Sequence, residues 1–113
     1  MIEYAVIRSG FVISGDVDLR QRTLEAIFVP TLLASGALAI QGNVDTTSAA
    51  FTRMLDARAP YSGDLLFAVG IGSRYVAWSR DWPTPAYARF EMVCAAGSLQ
   101  HDNRTLTLVT RPR

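Results

Sequence analysis

Three observations predict an all-β fold, a single-domain antiparallel β-sandwich or jelly roll of about seven to eight strands. Apolar residues come in short bursts separated by turn signals. Toward the C-terminus two segments alternate apolar with polar residues, the mark of strands buried on one face. Nothing amphipathic runs beyond about ten residues, so a helical bundle has no material. The 113 residues, half of them apolar and 19% charged, fit one globular domain, since domains most often run to about 100–150 residues. Such a chain buries roughly 65% of its unfolded surface, enough for a core without disulfide or metal staples.

The elements follow in order. Tyr4–Ile7 and Phe11–Ile13 read as two strands around Ser9-Gly10, with residues 1–9 standing as an N-terminal arm or an edge strand. Ser14-Gly15-Asp16 turns the chain, and Asp18–Ala26 has room for one helical turn. Leu24–Val29 is a strand that stops at Pro30, because proline offers no donor to a ladder. Ala37–Gln41 points Leu38 and Ile40 to one face and closes on Gly42-Asn43; Ala50–Leu55 reads as strand in preference to a helical turn. After the turn cluster Pro60–Asp64, Leu65–Val69 is a continuous apolar strand and Arg74–Trp78 the next. Trp82-Pro83-Thr84-Pro85 forces an extended link. Then Ala88, Phe90, Met92 and Cys94 face inward, and in Arg104–Thr110 Leu106 and Leu108 do, with Thr105 and Thr107 outward. No repeat, linker or second domain interrupts the pattern.

Charge excludes several partners. Eleven basic residues, every one an arginine, oppose 10 acidic ones, so no general field exists to grip nucleic acid or an anionic membrane. The start, Met1-Ile2-Glu3-Tyr4, lacks the basic and apolar regions of a secretory signal. No apolar run is long enough for a transmembrane helix. The single Cys94 lies in an apolar stretch and reads as a small core residue.

Catalytic chemistry finds little footing. His101, the only histidine, sits in a turn beside Asp102 and Asn103 with no nucleophile elbow anywhere in the chain, and reads as a solvated loop residue. Asp16 with Asp18, and Asn43 with Asp45, are oxygen pairs explained by turns; they lack calcium-loop spacing. Gly70-Ile71-Gly72 lacks the third glycine and the helix of a phosphate loop. The expectation is no cofactor, no metal and no enzymatic activity. Trp78 and Trp82, gathered with Tyr75 and Tyr87 among arginines, would suit either a platform for sugar rings or a pinned loop over one end of a sandwich.

Four segments in order, Arg22–Pro30, Leu38–Asp45, Arg74–Trp78 with its aromatic loop, and Asp102–Pro112, resemble a family of small virion structural proteins of tailed bacteriophages. Thr46-Thr47-Ser48 stands where the family usually carries a Gly-rich turn. The resemblance implies a non-enzymatic β-sandwich of the capsid decoration (cement) or head–neck adaptor kind. Its partners would be the major capsid protein and further copies of itself, a homo-oligomer such as a trimer, on the capsid surface of a virion assembled in the host cytoplasm. A tail adaptor or a carbohydrate-binding head-fibre module is the alternative. On that reading Ile2, Tyr4, Val6 and Ile7 could add to a neighbour's sheet edge, or simply form the first strand of their own sheet. Arg53, Arg58, Arg74 and Arg80 are candidate partner contacts, because charge-paired arginine is common at interfaces.

Overall fold

The computed structural model describes residues 1–30, 37–45, 50–55, 65–68, 74–79, 82–93 and 103–113. Among them the regular elements are nine strands: β1 (Ile2–Ile7), β2 (Val17–Asp18), β3 (Arg22–Val29), β4 (Ala37–Asn43), β5 (Thr52–Arg53), β6 (Leu66–Ala68), β7 (Arg74–Ala77), β8 (Tyr87–Val93) and β9 (Arg104–Pro112). They form two antiparallel sheets that pack as a β-sandwich. One has the order β1-β9-β3-β7; in the other β2-β8-β4 continues to β5 and β6, which pair successive lengths of the same side of β4. The chain changes sheet at six of the eight connections between these strands, so apart from β4 and β5 most paired neighbours are distant in sequence.

Alternation explains which side chains meet between the sheets. From the four-stranded sheet Ala5, Ile7, Leu24, Ile27, Val29, Leu106 and Leu108 point inward; from the other come Val17, Leu38, Ile40, Phe67, Ala88, Phe90 and Met92. Burying each large one contributes about 1.5–3 kcal/mol of transfer free energy. The inward set expected on β8 is correct at Ala88, Phe90 and Met92, as are Leu106 and Leu108 on β9. Cys94 and His101 lie outside the described residues.

Several expectations need correction. Phe11–Ile13 is not a strand: only Ile13 makes an isolated bridge, to Glu91. The reason is Ser14. Between Ile13 and Val17 lie three residues, opposite two between Ala88 and Glu91, so the segment carries an extra residue. Ser14 donates its N–H to the Phe90 carbonyl at 2.8 Å, and its Oγ accepts the Phe90 N–H at 2.9 Å. A side chain thus takes one rung of the ladder, which ends the regular pattern.

Asp18–Ala26 holds no helical turn, since β2 ends at Asp18 and β3 begins at Arg22. The Asp18 carboxylate accepts the Arg20 N–H at 3.0 Å and turns the chain locally. Ala50–Leu55 reduces to the two residues Thr52 and Arg53, paired with Gly42 and Gln41. On β3 an extra residue at Glu25 shifts the register against β9, so Leu24 and Ile27, three apart, both reach the core. The Glu25 carbonyl accepts the Trp78 N–H at 2.8 Å.

Residues 1–7 are an edge strand and not a free arm. Every residue of β1 pairs with β9, from Ile2 opposite Val109 to Ile7 opposite Arg104. The N-terminal amine donates to the Thr110 carbonyl at 2.9 Å, closing the ladder one residue further.

Candidate interaction surface

The outer faces of the two sheets differ in chemistry, and the difference locates the surface most fit to meet a partner. On the five-stranded sheet the charged outward residues satisfy one another. Arg53 forks onto Glu91, with Nη2 at 2.6 Å and Nε at 2.9 Å from its two oxygens, and Gln41 donates to the same carboxylate at 2.8 Å. Those hydrogen bonds hold Glu91 below the usual glutamate range, Arg53 contributing most, against a burial effect that raises it. Arg89 pairs with Asp16 and lies over the Phe51 ring, 4.0 Å from its centroid. Asp18, paired with Arg20 at 2.8 Å, is lowered to about 2, chiefly by the Arg20 side chain.

The four-stranded sheet presents something else. Its register aligns Tyr4, Thr107, Phe28 and Tyr75 in one outward row across all four strands. The adjacent row is Ile2, Val109, Ala26 and Ala77. None of these eight residues is charged. Ile2, Tyr4, Phe28 and Tyr75 are 54%, 61%, 38% and 65% exposed, so the large apolar side chains stand in solvent. Beyond the second row, Arg111 on β9 and Glu25 on β3 lie 3.5 Å apart. Exposed apolar surface organised this way, with a polar rim, marks an interaction site.

The β1 edge of this sheet is partly closed. Met1 exchanges hydrogen bonds with Thr110, so residues 1, 3, 5 and 7 bond to β9 while the backbone of Ile2, Tyr4 and Val6 turns to the open side. There Gly15 donates its N–H to the Val6 carbonyl at 3.3 Å. The segment carrying Gly15 therefore blunts the edge at Val6 and leaves only Ile2 and Tyr4 for strand addition. Beside it, Tyr4, Val6, Phe11 and Ile13 line a groove of about 440 Å³.

Of the candidates read from sequence, Ile2, Tyr4 and Val6 lie together on β1, the first two well exposed. Arg53 serves an intramolecular ion pair. Arg58 and Arg80 lie outside the described residues, and Arg74 begins β7 opposite Val29. Trp78 is a core residue, edge-on to Trp82 at 5.1 Å between ring centroids and 6.1 Å from Phe67. Its Nε1 donates to the Trp82 carbonyl at 3.3 Å. The pair packs an end of the sandwich, and Trp78 offers no open ring face to a sugar. Phe28 escapes the sequence reading because Leu24–Val29 reads as a strand with no face assigned, and Tyr75 groups there with the tryptophans; the partner register across β3 and β7 brings the two together on the outer face.

Among the described residues no group of three or more His, Cys, Asp or Glu gathers as a metal site, and no helix is long and apolar enough to cross a membrane. Compared with known proteins, the chain matches no family model, no curated protein and no solved structure.

Proposed function

We propose that this chain is a non-enzymatic structural protein of a bacteriophage virion, a decoration (cement) subunit bound over junctions of the capsid lattice. The observation that carries the proposal is the uncharged aromatic row Tyr4-Thr107-Phe28-Tyr75 on the outer face of one sheet, opposed by an ion-paired face on the other. A subunit that works by being covered needs such a face, and needs no pocket that concentrates reactive groups. The finer fold belongs to the same proposal: sheets ordered β1-β9-β3-β7 and β2-β8-β4-β5, with the chain mostly crossing between them, support a jelly roll. That architecture serves viral shells and lectins alike, so the fold alone does not choose between them. The core position of Trp78 favours the shell.

In this reading each subunit contributes modest contacts, to the major capsid protein and to further copies of itself, and many subunits acting together hold the lattice. Neither nucleic acid nor membrane is a partner, in keeping with the +1 net charge. Counting copies in purified particles by quantitative mass spectrometry tests the proposal. Hundreds per particle support decoration, whereas a number near a dozen reassigns the chain to a ring at the portal or tail. Absence from the particle overturns it.

A further inference from the structure

We infer that the outer face of the four-stranded sheet is a self-association surface, and that its occupant is the same face of a second copy of this chain. The inference rests on reading that face as an assembly surface, not on which particle the assembly serves.

Two-fold symmetry requires a self-complementary surface, and an axis running along the strands midway between β9 and β3 makes this one so. The axis lays β9 of one copy over β3 of the other, and β1 over β7. In the aromatic row Phe28 then faces Thr107 of the second copy and Thr107 faces Phe28, large against small, which lets two sheet faces interdigitate at a spacing of about 10 Å. Tyr4 and Tyr75, at the ends of the row, face each other across the two copies, an aromatic pair on either side. In the second row Val109 meets Ala26 and Ile2 meets Ala77, again large against small.

Charge agrees with the same axis. Arg111 and Glu25 lie on β9 and β3, the two strands it exchanges. Arg111 of one copy is therefore brought opposite Glu25 of the other, and Glu25 opposite Arg111. The pair already present within each chain at 3.5 Å becomes part of a four-charge cluster of alternating sign at one end of the interface. An axis across the strands would instead carry this pair to the far end of the partner, toward Val6 and Thr105, and would not set Arg111 of one copy opposite Glu25 of the other.

The area suits a reversible dimer. Four strands about 4.8 Å apart and about six residues long give a face of roughly 20 by 20 Å on each copy. With the ring sides included, a pair buries on the order of 1,000 Å², the lower limit for a specific interface. Area alone does not fix affinity, so the test spans a wide range of concentrations.

Analytical ultracentrifugation of the full chain over about 1–500 µM tests this. A monomer–dimer equilibrium is expected, weakened at least tenfold by Phe28→Glu. Tyr75→Glu, which leaves the strand core untouched, must weaken it too and stands in should the Phe28 variant fail to fold. Glu25→Arg and Arg111→Glu each weaken the dimer by opposing like charges, and the double variant restores it. A monomer throughout, a trimer, or a dimer indifferent to these changes overturns the inference. Particle binding measured on the same variants separates the two proposals: copies that dimerise without coating particles remove only the virion reading, and copies that coat particles as monomers remove only this one.

Discussion

Ser14 and Phe90 complete each other's backbone hydrogen bonding with one side-chain atom: the Ser14 Oγ stands where a carbonyl would, 2.9 Å from the Phe90 N–H, while Ser14 N–H reaches the Phe90 carbonyl at 2.8 Å. The hydroxyl in turn donates to the Gly15 carbonyl at 2.9 Å. Both residues are buried, so water offers no substitute.

Ser14→Ala should therefore cost about 1–3 kcal/mol, the penalty for a buried amide left without an acceptor. Chemical denaturation checks it as a lower midpoint at unchanged slope. An unchanged midpoint would mean that the segment shifts to supply a carbonyl of its own.

The Arg53–Glu91 fork predicts a pH dependence. Glu91 is lowered in the folded chain relative to about 4.3 in the unfolded one. A lowered acid contributes stability above its unfolded value and loses it as pH falls through the folded value. Glu91→Gln should lower the melting temperature near neutral pH by a few degrees, on the order of 1 kcal/mol for a partly exposed pair. The gap between variant and parent should close as pH drops below about 4. Asp18, lowered to about 2 by Arg20, also loses its charge in acid, so Asp18→Asn is the control that isolates Glu91.

Gly42 lies in β4 between Ala88 and Thr52, and a Cβ built on it would stand 2.9 Å from the Pro85 Cβ, a ring atom with little freedom to move. Gly42→Ala should cost about 1–3 kcal/mol through overpacking, despite the better strand propensity of alanine. Thermal melting measures it, and an increase in stability would show that the Trp82–Pro85 link yields readily.

How much of this was legible in the sequence depended on whether a side chain repeats along one strand or matches across several. The inward faces of β8 and β9 were legible because Phe90, Met92, Leu106 and Leu108 alternate with polar neighbours. The bulges were not. Glu25 inverts the parity between Leu24 and Ile27, and Ser14 replaces a backbone acceptor; each depends on a partner strand distant in sequence. The apolar face was half legible. Ile2, Tyr4 and Val6 stood out on β1, but Phe28 and Tyr75 join them only through Thr107, in a row built from four separate parts of the chain. Arg53 was read as a reach toward a partner because its mate, Glu91, is 38 residues away.

The N-terminal strand separates folding from surface function, and its two sets of residues give opposite predictions. Ala5 and Ile7 are buried, and all of β1 is zipped along β9. Deleting Met1–Arg8 would strip those side chains from the core and leave β9 an uncovered edge beside a hydrophobic opening. Loss of the Ile7 side chain alone costs about 2–5 kcal/mol, a large share of the 5–15 kcal/mol that holds a domain of this size. The deletion should abolish the cooperative transition in calorimetry, so its failure to bind anything reports only unfolding. Ile2→Ser with Tyr4→Ser keeps the ladder and the core and removes apolar surface from the outer face alone. That double variant should melt within about 2 °C of the parent while its association weakens. If it melts far lower, Ile2 and Tyr4 belong to the folding core, and the outer face loses its claim to be built for a partner.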